Sequence, residues 1–194
     1  GYEGEVATLT KYYADPKVVA VARGRVPAVL ARAAALLPKL EVMSLRKCEA
    51  LTALPDLSGL ERLQTLDLYQ CTALTALGAL PASLQTLDLR FCKALTALPA
   101  LPASLQTLDL RYCEALMALP PVPGTSLQTL NLNYCNALTA LPPVLGTSLQ
   151  TLYLHDCKAL KTVPDLSAHE QLKVDNVPDH LAAGAQGGFQ ALSL

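Results

Sequence analysis

The chain has 194 residues, of which 52% are hydrophobic and 16% are charged, and its net charge is -1. A composition this apolar can bury a large core, which argues against disorder over most of the chain. The balanced charge gives no indication of nucleic acid or an anionic membrane as the main partner. No apolar run approaches the ~18 residues that a membrane span needs.

The N-terminus reads Gly-Tyr-Glu-Gly-Glu. It lacks an initiator Met and the basic-then-apolar pattern of a signal peptide. We therefore expect Gly1 to be a cloning remnant or the boundary of a fragment, with further domains of a longer protein beyond it.

Two short helices are predicted within residues 1–39. Asp15 and Pro16 precede an apolar run that ends at Gly24, which is typical of a capped helix. A second run, over residues 28–37, is rich in Ala and Leu and lies between two prolines. These helices are expected to form a cap over the first turn of the core that follows.

Six copies of one motif fill residues 40–168. The motif is Leu-x-x-Leu-x-Leu-x-x-Cys-x-x-Leu-x-x-Leu-Pro, and we number its positions from the first Leu. A period of 21 to 23 residues is too short for solenoids of paired helices, which repeat at ~33 residues or more. The copies, repeats one to six, begin at Leu40, Leu63, Leu84, Leu105, Leu127 and Leu149.

Each copy predicts one short strand. Leu87 and Leu89, at positions four and six of repeat three, point to one side of a strand, while Asp88 and Arg90 point to the other. Stacked copies therefore predict a parallel sheet with an apolar inner face. Ten of the 14 prolines lie in the return segments between strands, which favours extended, polyproline-like or short 3-10 turns over α-helix.

The C-terminal end predicts an incomplete seventh repeat. Leu172 and Val174 fit strand positions, and residues 178–194 are expected to form a loose cap. The domain plan is therefore a helical cap over residues 1–39, six repeats over 40–168, and a partial repeat with a cap over 169–194.

The motif resembles the leucine-rich-repeat family across residues ~40–175. Its Leu-Pro-x-Leu-Pro-x-x-Leu returns are similar to the repeats of secreted bacterial effectors, some of which carry a ubiquitin-ligase domain, although those repeats usually have Asn in place of Cys and are slightly shorter. Its Leu-x-x-Cys-x-x-Leu-x-x-Leu-Pro stretch resembles the repeats of plant intracellular immune receptors. The resemblance implies an α/β solenoid shaped as a horseshoe, with a concave parallel sheet, and recognition of another macromolecule.

One cysteine occupies position nine of every copy, and none lies elsewhere. In the family this position usually holds an Asn that hydrogen-bonds the turning backbone, so the resemblance implies a buried thiol acting as a weak donor. Disulfides between neighbouring copies are geometrically possible, but pairing would remove those backbone contacts. A straight row does not converge four ligands on a metal ion. We therefore predict that the cysteines are free thiols, that they bind no metal ion, and that the protein resides in a reducing compartment. The cysteines are Cys48, Cys71, Cys92, Cys113, Cys135 and Cys157.

The stretch His155-Asp156-Cys157 comes nearest to a nucleophile with its base. The repeat frame places His155 on the outer sheet face and Cys157 at the inward turn, so the two cannot share a proton. The sequence contains no phosphate-cradling Gly-rich loop and no His-Glu-x-x-His motif. We therefore predict no catalytic residues, no cofactor and no enzyme activity.

Outward strand positions vary between otherwise similar copies, and they form the predicted partner-binding site. Aromatic and Arg side chains, which supply most interface hot spots, are prominent among them. Stacked Asp residues at position five would destabilise a sheet unless the Arg residues at position seven neutralise them. A self-compensated solvated face and a binding surface both stay open. The predicted site comprises Asp88, Arg90, Phe91, Asp109, Arg111, Tyr112, Asn131, Asn133, Tyr134, Tyr153 and His155.

The predicted function is a monomeric interaction module that binds a protein partner through the concave sheet face, in the cytoplasm or, for a secreted effector, in the host-cell cytosol. One alternative is the substrate-recognition domain of a larger effector or ubiquitin-ligase-type enzyme whose catalytic domain is absent from this fragment. Another is an extracellular leucine-rich protein. The flanking reading frame separates the first two, and a count of free thiols in the unreduced protein tests the third.

Overall fold

A computed structural model provides the structure of the chain. It describes residues 18–20, 39–122, 126–143, 145–166 and 171–175, together with residues 169, 178 and 181. The elements of these residues are ten short strands, eight of which form one parallel sheet. In sheet order they are β1 (Val18–Ala20), β2 (Val42–Ser44), β4 (Thr65–Asp67), β6 (Thr86–Asp88), β7 (Thr107–Asp109), β8 (Thr129–Asn131), β9 (Thr151–Tyr153) and β10 (Lys173–Asp175).

The register of this sheet aligns each repeat with its neighbours position by position. Leu66 pairs with Leu87, and Leu87 pairs with the next position-four residue, Leu108. Side chains at positions one, four, six and twelve are buried in every repeat and form one continuous core. Each fully buried Leu stabilises the fold by roughly 1.5–3 kcal/mol. The parallel-strand solenoid predicted from the motif is confirmed.

The strand β1 contradicts the first predicted helix. Val18–Ala20 pair in parallel with β2, so that Val19 lies beside Met43. β-Branched residues fit a strand well, and β2 would otherwise present an unpaired sheet edge. The helix predicted between Asp15 and Gly24 is therefore wrong at these three residues. The second predicted helix, over 28–37, lies outside the described residues.

At the other end, β10 pairs in parallel with β9, and Val174 lies beside Leu152. Leu172 is buried and Val174 packs against the core. The sheet thus continues past repeat six into the segment where an incomplete repeat was predicted, while the limits of the predicted domains stay a prediction. The described part of the chain contains no helix with the length and apolarity that a membrane crossing requires.

The return segments run extended on the other side of the core. Two of them pair in parallel as β3 (Ala53–Leu54) and β5 (Ala76–Leu77). Later returns are joined only by single parallel bridges, from Ala118 to Ala140 and from Ala140 to Thr162. Extended, polyproline-like and 3-10 conformations were predicted for the returns, and the described returns are extended. This is expected where prolines remove backbone donors.

Gly78 marks the closest approach between two returns. It stands at position sixteen, where the other repeats have Pro, and its N–H donates to Leu54 O at 2.7 Å. A Cβ atom at Gly78 would lie 2.5 Å from the backbone carbon of Pro55. Only glycine allows the two backbones to come this close.

The position-nine cysteines form a ladder that connects successive repeats. Each thiol from repeat two onwards donates to the position-six carbonyl of the repeat before, and all six cysteines are free and buried. That carbonyl also accepts the N–H of the cysteine in its own repeat, as Leu45 O does from Cys48. The Sγ–O distances are 3.1 Å for Cys71–Leu45, 3.3 Å for Cys92–Leu68, 3.2 Å for Cys113–Leu89, 3.2 Å for Cys135–Leu110 and 3.1 Å for Cys157–Leu132.

This ladder confirms the structural role predicted for the cysteines. Burial raises the pKa of the Cys92 thiol to about 12 and that of Cys157 to about 11. Burial also raises the pKa of Cys113 and Cys135. These thiols are therefore protonated donors at neutral pH, and nucleophilic reactivity is suppressed because the thiolate is the reactive form. Among the described residues, no three His, Cys, Asp or Glu side chains are grouped to hold a metal ion.

We predict a loss of stability in mild alkali that originates in the buried thiols. An unfolded thiol titrates near ~8.5, so the stabilisation from a raised folded pKa is complete below about pH 8.5 and is lost as the pH rises towards the folded value. When the pH is raised from about 7.5 to 9.5, the free energy of unfolding of the unsubstituted protein should fall by about 1 kcal/mol more than that of Cys92→Ser. The reason is that Ser keeps a hydrogen-bond donor but does not titrate in this range. Urea unfolding at both pH values measures the difference. Equal losses in the two proteins would contradict the prediction.

Candidate partner-binding site

Position five takes part in the turn that ends the strand in repeats two to five. The side chains of Asp67, Asp88, Asp109 and Asn131 each accept a hydrogen bond from the backbone N–H two residues later, at 3.0 to 3.2 Å. Asp and Asn are suited to this local turn because their short side chains reach the backbone. The outward Asp and Asn side chains are therefore part of the turn as well as part of the surface.

Ion pairs neutralise the stacked Asp residues in repeats two to four. Arg90 and Arg111 each hold the position-five carboxylate of their own repeat through Nε and Nη2, with the Arg111 Nη2–Asp109 Oδ2 distance at 2.8 Å. Arg46 of repeat one contacts Asp67 at 3.2 Å. These carboxylates raise the pKa of both Arg90 and Arg111 through the hydrogen bonds. The like charges in register are thus compensated within the sheet.

Five rings form a second row beside the ion pairs, which we call the aromatic ladder. Phe91 and Tyr112 stack with centroids 4.4 Å apart and planes within 8°, and Tyr112 stacks on Tyr134 at 4.4 Å and 5°. Tyr69 and His155 close the two ends edge-to-face, at 5.6 Å and 5.1 Å. The faces of the central rings are covered by their neighbours, so mainly ring edges are left for a partner.

The residues at position eight have a left-handed backbone in all six repeats, with φ from 57° to 65°. Non-glycine residues avoid this region because Cβ crowds the carbonyl, at a cost of roughly 1–2 kcal/mol each. Three successive copies place the bulky Phe91, Tyr112 and Tyr134 there. Such strain persists only when surrounding contacts hold the residue in place. The position-eight N–H donates to the position-seven carbonyl of the next repeat with or without a ring, as Gln70 does to Arg90 O at 2.8 Å and Tyr112 to Asn133 O at 3.0 Å, and in the three aromatic copies stacking within the aromatic ladder adds to this.

An open groove of about 390 Å³ lies on the outer sheet face and begins at the last Asp–Arg pair, Asp109 and Arg111. Its walls come from positions three, five and seven of repeats four and five, with side chains of β9 and β10 at the far end. The lining residues are Thr107, Leu108, Asp109, Arg111, Thr129, Asn131, Asn133, Tyr153 and Asp175.

The structure brings five of the predicted site residues into this groove: Asp109, Arg111, Asn131, Asn133 and Tyr153. The other six lie nearby in two different arrangements. Asp88 and Arg90 are paired to each other before the groove begins, and Phe91, Tyr112, Tyr134 and His155 belong to the aromatic ladder.

Sequence reasoning missed three kinds of contributor. Thr107 and Thr129 line the groove, although they were not among the predicted site residues. Asp175 enters from β10, where the repeat motif is too degraded to mark it. Tyr69 joins the aromatic ladder from position seven, and Arg46 lies over its ring at 4.6 Å. The alternation of strand side chains could have indicated the threonines, which share a face with positions five and seven.

The structure separates the two members of the His-Asp-Cys stretch. The Cys157 thiol is buried and donates to Leu132 O at 3.1 Å. The His155 imidazole is exposed and lies against Tyr134, while its backbone N–H donates to Asn133 Oδ1 at 2.8 Å. Their side chains thus face different parts of the molecule, as the repeat frame predicted.

No family model and no curated protein matches the chain. Among solved structures, the chain is similar to the leucine-rich repeat domain of the type III effector XopL, with a TM-score of 0.50 and 24% sequence identity. The likeness covers 93% of this chain and 83% of that one. At this identity it shows the fold alone. Together with the parallel strands and the repeat of 21 to 23 residues, it establishes that the chain has the leucine-rich-repeat fold.

The aromatic ladder generates a stability prediction. Tyr112→Gly removes a ring stacked on both sides, and each such contact contributes about 0.5–1.5 kcal/mol, so we expect its change in unfolding free energy to be about 1–3 kcal/mol more unfavourable than that of Gln70→Gly. Gln70→Gly is the matched control, because it relieves the same left-handed backbone without removing a ring. It should leave stability unchanged or raise it. Urea denaturation of both variants is the measurement, and equal effects would contradict a stabilising role for the stack.

Proposed function

We propose that the chain is an interaction module that binds a protein partner through the outer sheet face over repeats four to six. The observation that carries this proposal is the groove of about 390 Å³, whose wall includes side chains at the outward positions five and seven that vary between copies. The sheet beneath it is held in register by both backbone pairing and the cysteine ladder, which makes the groove a preorganised surface.

The charge pattern supports the same part of the face. In repeats two to four the Asp and Arg side chains are paired with one another, so this half fits a self-compensated surface. The groove begins where position seven changes from Arg111 to Asn133 and position five from Asp109 to Asn131. Uncharged polar groups cost less to desolvate than unpaired charges. The part of the groove around Asn131 and Asn133 is therefore less costly to cover than the paired charges of the earlier repeats.

The remaining parts of the proposal concern state and setting. We propose a monomer. We also propose that it has no catalytic activity, since the groove lining contains no Cys or His side chain and the Asp109 carboxylate is held by Arg111. The six free and buried thiols support a reducing compartment, either the cytoplasm or the cytosol of a host cell.

A substrate-recognition role within a larger enzyme is compatible with the same groove. In that case the partner bound here would be the substrate of a catalytic domain elsewhere in a longer protein. The reading frame on either side of this segment distinguishes the two arrangements, because only the second requires a neighbouring catalytic domain.

Affinity capture with the intact chain, followed by binding measurements on the purified captured protein, tests the proposal. Arg111→Ala and Tyr153→Ala change the groove wall, and each should weaken binding about tenfold or more, as expected for central interface residues. Arg62→Ala, an exposed Arg outside the groove, is the matched control and should bind normally. If a captured partner binds all three variants as tightly as the parent, the proposed surface is wrong.

A further inference from the structure

Arg90 shows how an arginine on the outer sheet face accommodates two carboxylates. Its guanidinium is hydrogen-bonded to Asp88 of its own repeat, and its Nε also lies 3.8 Å from Asp109 Oδ2 in the next repeat. The two aspartates are in register on neighbouring strands. A guanidinium has several N–H donors in one plane and can serve two anions at once. Repeat three is therefore a template for an arginine between two carboxylates.

Arg111 repeats this arrangement with one carboxylate missing. Its Nε and Nη2 hold Asp109 of its own repeat, as Arg90 holds Asp88. In the next repeat, the residue in register with Asp109 is the neutral Asn131. Nη1 of Arg111 makes no hydrogen bond to a described residue. The Arg111 side chain is 38% exposed, against 28% for Arg90, and it lines the groove. Arg111 thus has an open side where Arg90 has its second carboxylate.

The negative charges of the groove do not close this open side to an anion. Asp109 is hydrogen-bonded by Arg111 and lies 3.8 Å from Arg90, so cations flank its carboxylate on both sides. Asp175 belongs to β10, three strands from β7 in the sheet. At about 4.8 Å per strand this is roughly 14 Å, which exceeds the Debye length of about 8 Å at physiological ionic strength. Repulsion from Asp175 is therefore screened, and the surroundings of Arg111 match those in which Arg90 has two carboxylates.

Neutral polar groups complete the surroundings of Arg111. Thr129, Asn131 and Asn133 line the groove on the side of Arg111 that faces the later repeats. Hydroxyl and amide groups can donate hydrogen bonds to a carboxylate and add no charge of their own. The chemistry on this side of Arg111 thus suits one singly charged, planar anion.

We propose that Arg111 binds an Asp or Glu side chain of the protein partner, which takes beside Arg111 the place that Asp109 has beside Arg90. The inference rests on the proposed function and names the group by which the partner is anchored. A carboxylate is favoured over a phosphate group, because Arg111 already holds Asp109 and an anion of nearly two charges would repel that carboxylate more strongly.

Kd measurements between the intact chain and the purified captured partner test this anchor. Arg111→Gln removes the charge but keeps an amide, and it should raise Kd about tenfold or more. Asn131→Asp supplies the second carboxylate from within the chain, and it should raise Kd by a similar factor because it competes with the partner's carboxylate and repels it. Gln128→Glu is the matched control. It makes the same amide-to-carboxylate change at an exposed position of the same repeat, outside the groove, and should change Kd less than about twofold.

Urea unfolding of the free variants serves as the folding control. Asn131→Asp keeps the acceptor for the Asn133 N–H, as Asp109 does for the N–H of Arg111 in repeat four. Its turn should therefore stay intact, and a cooperative unfolding transition like that of the parent is expected. Arg111→Gln tests the same anchor without adding a charge, so the two variants reach one conclusion by different routes.

A double-mutant cycle identifies the group on the partner. Each surface Asp and Glu of the captured partner is changed singly to Asn or Gln, and Kd is measured against the parent chain and against Arg111→Gln. One position should raise Kd about tenfold with the parent but less than about twofold with Arg111→Gln, because the second variant has already lost the pair. Added salt should also weaken binding of the parent more than that of Arg111→Gln.

The outcomes separate this inference from the proposed function. A partner that requires Arg111 and Tyr153 but has no Asp or Glu coupled to Arg111, or that binds Asn131→Asp like the parent, overturns the inference and leaves the interaction surface standing. Coupling confined to the partner's C-terminal carboxylate or to a phosphorylated residue overturns the inference in the same way. A partner that binds Arg111→Ala and Tyr153→Ala as tightly as the parent overturns the proposed function itself.

Discussion

The hydrogen bond from each position-nine thiol to the carbonyl of the preceding repeat is the constraint on which the rest of the structure depends. That carbonyl lies where the chain leaves the strand. Leu89 O, for example, accepts the backbone N–H of Cys92 in its own repeat and the thiol of Cys113 in the next repeat. Because the thiol reaches only the carbonyl of the adjacent turn, it fixes the register between repeats. Burial keeps the thiol protonated and hence a donor.

A fixed register places equivalent side chains side by side along the whole sheet. For Leu this produces a continuous core. For Asp88 and Asp109 it produces like charges in contact, which are tolerated because Arg90 and Arg111 pair with them. For Phe91, Tyr112 and Tyr134 at position eight it produces a stack of rings on a left-handed backbone. The groove arises where this regularity changes, as amide side chains replace the ion pairs within an unchanged frame.

The agreement between sequence and structure follows from the repeat. Six copies of one spacing average out local ambiguity, so the strands and the buried positions were predictable from periodicity alone, whereas the hydrogen-bonding role of the cysteines was implied by the resemblance to the family. Outside the repeats, the run around Val18 and Val19 carries a helix-like start and stop but forms β1. The edge of β2 has unpaired backbone groups unless another strand pairs with it, and β1 does so. These hydrogen bonds outweigh the weak local preference of this segment for helix.

The sequence by itself determined which residues face inwards and which outwards, because a strand alternates its side chains regardless of context. It also identified Asp109, Arg111, Asn131, Asn133 and Tyr153 as outward residues that differ between copies. Only the tertiary structure decided which of their hydrogen-bonding groups are already used. An amide that accepts an N–H of its own turn, as Asn131 does, and one that accepts an N–H of the next repeat, as Asn133 does, look identical in a sequence. Their difference depends on distances between turns that are not contiguous in the chain.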